Sequence, residues 1–129
     1  MSNAQVDVAV VGKNYINGRW IDAKELPLAS HNPAHWSTLV GQFPQSSPAQ
    51  VQEAVAAARN AYPSWRRASR LHRAELFDNL AQIVKRETDS LARLMARECG
   101  KVLSECRAEV VEGLHMIQYV FGTGRMRVG

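Results

Sequence analysis

The spacing of apolar residues changes once along this chain, at about residue 47. Before that point apolar positions come in short runs or alternate with polar ones. After it they recur every three or four residues, the period of an α-helix. Val6, Val8 and Val10 alternate with Asp7 and Ala9. This predicts a weak strand or a loosely attached arm over residues 1–12. In Tyr15-Ile16-Asn17-Gly18-Arg19-Trp20-Ile21, an Asn-Gly pair separates two short apolar runs. That is the preferred two-residue hairpin turn, since both central residues need positive φ. Asp22 to Pro27 reads as a polar connection. A second extended segment follows at Leu28–His31, and Asn32-Pro33 marks a turn because the residue before proline is pushed out of the helical region. Leu39-Val40-Gly41-Gln42-Phe43 reads as the return strand, ended by Pro44.

Ser47-Pro48-Ala49-Gln50 is a capping box with proline in the first helical position. It opens a helix whose apolar stripe is Val51, Val55, Ala58, Tyr62 and Trp65, with Pro63 expected to end or kink it near Tyr62. Trp65 is then expected just beyond the helix. Ser69 is expected to cap a second helix running to about Arg86, with Leu76, Phe77, Leu80, Ile83 and Val84 on its buried face. Thr88 is expected to cap a third, Asp89 to about Cys99, with Leu91, Leu94 and Met95 inward, closed by Gly100 in the left-handed conformation. A fourth starts near Leu103. Its stripe is Leu103, Cys106, Val110, Leu114, Ile117 and Phe121, and Gly122-Thr123-Gly124 ends it. The fold class is therefore α+β and mainly helical, with N-terminal β-hairpins followed by four helices. A lone hairpin is marginal in water, so the hairpins must lean on the helices or on another polypeptide.

Composition changes this picture little. The chain has 129 residues, 46% hydrophobic and 22% charged, as expected of a soluble globular protein. No apolar run approaches the ~20 residues that span a bilayer. No basic n-region opens the chain, so neither a secretory leader nor a membrane partner is expected, and the location is read as cytoplasmic. The net charge of +4 gathers at Arg66, Arg67, Arg70 and Arg73 and again at Arg125 and Arg127. A nucleic-acid surface is one reading of that cluster and predicts affinity that falls steeply with salt. Interspersed acidic residues favour a solvated helix face and loop, and no nucleic acid is expected as a partner.

Candidate chemistry is thin. Cys99 and Cys106 are two thiols without the partners of a metal site, and no histidine stands near either in sequence to act as a base. On one straight helix they would lie about 10 Å apart, too far for a disulfide. They read as reduced cytosolic thiols, with Cys106 on the apolar stripe of the fourth helix. His31 and His35 are four apart, a zinc-compatible spacing only on a helix, which Pro33 between them opposes. His72 and His115 stand alone. Gly122-Thr123-Gly124 lacks the preceding strand that a dinucleotide loop requires. Glu105 and Glu109, with Arg107 between them, read as an exposed helix face rather than an acid/base pair. No catalytic, cofactor-binding or metal-binding residue is assigned.

Read together and in order, six short segments resemble the N-terminal part of the NAD(P)-dependent aldehyde dehydrogenase superfamily. Ile16-Asn17-Gly18-Arg19-Trp20 resembles that family's opening hairpin, and Asn32-Pro33-Ala34 its "NPATGE" turn. Val51 to Trp65 resembles its Ala-rich first helix, and Arg73 with the helix after it the "ER…L…LA" helix. Glu98-Cys99-Gly100-Lys101 is similar to "ETGK", and Leu103 to Val110 to "LAEARGEV". Trp36 stands where the family's turn has Gly, and Val102 where it has Pro. With residues 1–12 read as an arm, the resemblance, which covers about residues 14–127, implies 13–129 as the N-terminal portion of such an enzyme, hairpins over 13–46 and helices over 47–129, belonging to the cofactor-binding domain. It implies oxidation of an aldehyde to an acid, with NAD or NADP as cofactor of the full-length enzyme. The family's oxyanion Asn, general-base Glu, nucleophilic Cys and cofactor contacts all lie downstream of the matched region. This chain alone is therefore expected to bind no cofactor, to be inactive, and to self-associate through apolar faces. The alternative is a stand-alone helical interaction module without enzyme activity.

Overall fold

The computed structural model describes residues 9–22 and 27–127. Most of the expected N-terminal arm, and most of the connection after Asp22, therefore lie outside the described residues. Two compact units meet between Tyr62 and Pro63.

The first unit holds the strands and most of the first helix. β1 (Val10–Val11), β4 (Leu28–His31) and β5 (Leu39–Phe43) form one sheet in the order β1-β5-β4; β2 (Asn14–Ile16) and β3 (Arg19–Ile21) form a separate hairpin. Asn17 and Gly18 take φ of 51° and 76°, so the Asn-Gly turn has the two positive-φ positions its sequence demands. The pairs Asn14↔Ile21, Tyr15↔Trp20 and Ile16↔Arg19 follow from that turn. β4 and β5 pair antiparallel. Their connection is closed by Asn32, whose amide donates to the Thr38 carbonyl (3.0 Å) and whose Oδ1 accepts from the Ala34 amide (2.9 Å). Trp36 takes no positive φ, so the turn closes without the freedom glycine would bring to that position.

The sequence pattern did not anticipate the parallel pairing of β1 with β5, Val10↔Gly41 and Val11↔Gln42. Gly41 permits it. A Cβ there would lie 2.8 Å from the Val10 carbonyl oxygen and 3.1 Å from the Phe43 ring. Val40, 1% exposed, is the centre of this small sheet.

α1 (Pro48–Arg67) starts on the expected capping box. The Ser47 amide donates to Gln50 Oε1 (2.9 Å) and the Gln50 amide to Ser47 Oγ (3.3 Å). Asn14 Nδ2 also donates to Ser46 Oγ (2.7 Å), fixing β2 just ahead of the helix. The helix does not end at Tyr62. Pro63 lies inside it, and Trp65 is helical rather than beyond the end. Proline's φ suits a helix, and its missing N–H removes only one ladder bond. The turn after it is closed by the Ala68 amide, which donates to the Ser64 carbonyl (3.0 Å). No residue of α1 is buried. Its stripe of Val51, Val55, Tyr62 and Trp65 is exposed, while Ala54 and Ala57 are half-buried.

The second unit is a helical layer. α2 (Arg70–Arg86) begins at Ser69, whose Oγ accepts from the His72 amide (3.1 Å). α3 (Thr88–Cys99) follows after one residue, Glu87, and this corrects the cap expected at Thr88. Thr88 is already helical, so its hydroxyl turns back and donates to the Val84 carbonyl (2.9 Å) in the last turn of α2. Gly100, φ 66°, closes α3 in the left-handed conformation expected of it.

α4 (Leu103–Gly124) packs against both α2 and α3. The core is Ala92, Cys106 and Val110, surrounded by Val84, Met95, Ala96 and Leu103. The expected stripe of α4 is its inner face, from half-buried Leu103 to half-buried Phe121. The faces of α2 and α3 differ from expectation. Ala74 and Ala81 are buried, with Phe77 and Val84 half-buried beside them, whereas Leu76, Leu80 and Ile83 are exposed. On α3, Ala92 is inward and Leu91 and Leu94 are exposed. Small side chains at the contact let the helix axes approach closely, and the larger residues one position away are turned outward.

Val102 caps α4 with φ −64°, within the range a proline ring imposes. Val102→Pro is therefore expected to stabilise the chain by about 0.4–1 kcal/mol through the unfolded state, read as a rise in the thermal midpoint.

Candidate functional site

Side chains that carry chemistry are scattered through this chain. Cys106 is fully buried in the α3–α4 core, and Cys99 is exposed at the end of α3; both are free thiols. They stand on different helices, and no hydrogen bond joins either to a base among the described residues. Cys106 is packed among apolar side chains, and a thiol buried in such surroundings behaves as a small apolar group.

The two histidines of the β4–β5 turn are occupied locally. His31 Nδ1 donates to the Trp36 carbonyl (3.0 Å), and the two rings stack with centroids 5.1 Å apart. His35 Nδ1 lies 3.0 Å from the Ser37 hydroxyl and 3.0 Å from that of Thr38. No group of three potential metal ligands converges among the described residues. His72 is exposed on α2, and His115 Nδ1 sits 3.6 Å from Glu112 on α4.

Glu105 and Glu109 do not form a carboxylate pair. Glu109 accepts from Lys101 Nζ, which ties the joint between α3 and α4 to the second turn of α4. Arg107 Nε instead donates across to Asp89 Oδ1 on α3 (2.8 Å). The hydrogen bond to Glu109 raises the Lys101 pKa above its ordinary 10.5. At the α2–α3 joint, hydrogen bonds from Arg86 and then Ser90 lower the Glu87 pKa below its ordinary 4.5. The signs set the pH window. Glu87 contributes stability above its unfolded pKa and loses it as pH falls through the lowered folded value. Lys101 contributes below its unfolded pKa and loses it as pH rises through the raised one. Both groups are solvent-exposed, so each limb is shallow. Thermal melts are expected to be flat between these limits and to fall at both ends, with Lys101→Met removing the alkaline limb and sparing the acid one.

The arginine cluster forms a shallow cavity of about 260 Å³, lined by Trp65, Arg70, Arg73, Ala74 and Phe77 and closed by the last turns of α4. The Arg73 guanidinium stands 6.0 Å from the Trp65 ring centroid, and that of Arg125 5.4 Å from Phe121. Arg70 donates to the Arg125 carbonyl. These cations are used in aromatic and backbone contacts, and the cavity holds neither nucleophile nor base. It is smaller than the ~300–1,000 Å³ of an ordinary ligand pocket. An apolar cleft of about 530 Å³ lies in the first unit, lined by Val10, Val11, Trp20 and Phe43. It too contains no titratable group but Lys13. Sequence reading missed both concavities, because each is assembled from residues far apart in the chain.

The glycines near the C-terminal end of α4 do not form a dinucleotide loop. Gly122-Thr123-Gly124 forms the last turn of α4, with a helix before it and no strand. The N–H groups there are spent on the helix and its end: Arg125 donates to Gly122 and Met126 to Thr123. A pyrophosphate requires free amides at a helix start.

Comparison with known proteins supplies what the side chains do not. The model of the aldehyde dehydrogenase family matches residues 20–129. Malonate-semialdehyde dehydrogenase 1 of Shouchella clausii is 36% identical over the whole of this chain, which spans 26% of that protein. The rat mitochondrial methylmalonate-semialdehyde/malonate-semialdehyde dehydrogenase is 31% identical over 91% of the chain, against 22% of its own length. Among solved structures, an NAD-dependent aldehyde dehydrogenase from Sinorhizobium meliloti superposes with a TM-score of 0.86 at 26% identity, over 93% of this chain and 24% of the other. A Thermus 1-pyrroline-5-carboxylate dehydrogenase with bound NAD superposes at 0.82 and 30% identity, over 86% and 21%. The chain thus spans about a quarter of the length of the relatives it matches.

Proposed function

Because this chain belongs to the aldehyde dehydrogenase family, we propose that it serves as the N-terminal scaffold of an enzyme that oxidises an aldehyde to a carboxylic acid with NAD or NADP. The observation that carries this reading is the match of nearly the whole chain, in sequence and in three dimensions, to about a quarter of the length of longer dehydrogenases. The scattered thiols, histidines and carboxylates support a structural rather than a chemical role. The nucleophile, general base and nicotinamide site belong to polypeptide beyond this match, so no step of the reaction is assigned to residues here. Two unpaired cysteines suit a reducing compartment, and the reading places the protein in the cytoplasm.

By itself the chain is inactive. Purified 129-residue protein, mixed with malonate semialdehyde or simple aliphatic aldehydes and either nucleotide, is expected to form no NADH or NADPH. Aldehyde-dependent reduction of the nucleotide by this chain alone would overturn the proposal. The many exposed apolar side chains of α1, and separately those of α2 and α3, also favour concentration-dependent self-association. Sedimentation at rising concentration checks this, and a monomer throughout would count against it.

A further inference from the structure

Arg70 and Arg73 are half-buried in the wall of the shallow cavity beside Trp65. Arginine is rarely taken out of water without a partner of opposite charge. No ion pair among the described residues includes either of these two. None of the residues lining the cavity is acidic. The aromatic and backbone contacts of the cluster leave most of its donors unspent. A guanidinium carries five N–H groups. Arg70 gives a hydrogen bond to the Arg125 carbonyl. Arg73 stands beside the Trp65 ring, and its side chain makes no hydrogen bond among the described residues.

The rest of the cavity is apolar. Trp65, Phe77 and Val120 line the same space as the two arginines. Walls of low dielectric focus the field of the cations between them. The planar guanidinium fork matches the two oxygens of a carboxylate. The volume of about 260 Å³ exceeds the roughly 150 Å³ that is enough for benzene, so one aromatic ring and a carboxylate have room. Phosphate or sulfate would satisfy the arginines and leave the apolar walls without a partner. A polyanion suits the surface less well, because Glu75 and Asp78 are exposed on the same helix.

We propose that this cavity binds a small arylcarboxylate, with its carboxylate on Arg70 and Arg73 and its ring among Trp65, Phe77 and Val120. The inference does not rest on the scaffold reading, since every residue it uses lies in the second unit of this chain. The lining comes from the end of α1, the first half of α2 and the last turns of α4. An occupant therefore ties these three segments together, and it stabilises the helical unit in step with its occupancy.

Benzoate is the probe. A heteronuclear NMR titration of the whole chain at constant ionic strength follows the Trp65 indole N–H. Its signal is expected to shift saturably, with a dissociation constant on the order of 1 mM for a ligand of this size. Benzyl alcohol keeps the ring without the charge, and acetate keeps the charge without the ring. Each is expected to bind at least tenfold more weakly than benzoate. This comparison uses the unaltered chain and needs no variant to fold. Arg70→Gln and Arg73→Gln, made separately and checked for helix by circular dichroism, are each expected to weaken benzoate at least tenfold. Arg66→Gln, outside the cavity, is expected to leave its binding unchanged. No saturable shift with benzoate, or equal binding of benzyl alcohol, would overturn the proposal. So would undiminished benzoate binding in both cavity variants. Inorganic phosphate binding more tightly than benzoate would assign the arginines to an inorganic anion and overturn the arylcarboxylate.

Discussion

Ala92→Asp is expected to unfold the helical unit. Ala92 has no exposed surface and lies in the core with Cys106 and Val110. A carboxylate there would be buried among the apolar side chains of the core. Leaving such a charge uncompensated costs about 3–5 kcal/mol, a large share of the total stability of an ordinary domain. The comparison variant is Leu91→Asp, one residue earlier. Leu91 is the larger and more apolar side chain, yet it is 39% exposed, and the isolated chain is expected to lose less than about 1 kcal/mol by its replacement. Denaturant titrations followed by helical circular dichroism read both. If Leu91→Asp proved the more damaging of the two, α3 would have to face the other way.

Gly41→Ala is expected to release β1 from the sheet at a cost of about 1–3 kcal/mol. The added methyl would sit 2.8 Å from the Val10 carbonyl oxygen and 3.1 Å from the Phe43 ring. The carbonyl belongs to the backbone that pairs Val10 with Gly41 and cannot yield without disturbing that pairing. The Gly12 amide, which donates to the Gln42 carbonyl at 2.8 Å, is the reporter. Its hydrogen exchange is expected to rise at least tenfold in Gly41→Ala, while the amides of the β2–β3 hairpin keep their protection. Unchanged exchange at Gly12 would show that the parallel pair does not depend on this close approach.

These two variants also show where reading the chain residue by residue stops. Most of the local devices that need only neighbours in sequence are where the pattern puts them. Asn17-Gly18 turns the hairpin, Ser47 and Gln50 cap α1 reciprocally, Ser69 caps α2 and Gly100 closes α3. The exceptions have local reasons of the same kind. Pro63 is tolerated because one lost ladder bond does not stop a long helix, and Thr88 bonds backward because only Glu87 separates it from α2. Of the site, little was there to be read. The thiols, histidines and glutamates lie apart in space as they do in sequence, and the two concavities are made by residues that only folding brings together.

The order of turns, caps, strands and helices was determined by the sequence alone, and so was the likeness to aldehyde dehydrogenases carried by six short segments in that order. The reason is physical: a cap or a turn is a bargain between residues two to four positions apart, and no distant part of the chain is needed to complete it. Only the tertiary structure decided which apolar stripe of α2 and α3 faces inward, and that Val10 and Val11 pair with β5. Two stripes one residue apart have the same helical period, so periodicity cannot choose between them. The choice is made by how closely α4 can approach. Alanine permits that approach and leucine does not, which is why the larger side chains remain on the outside of this chain.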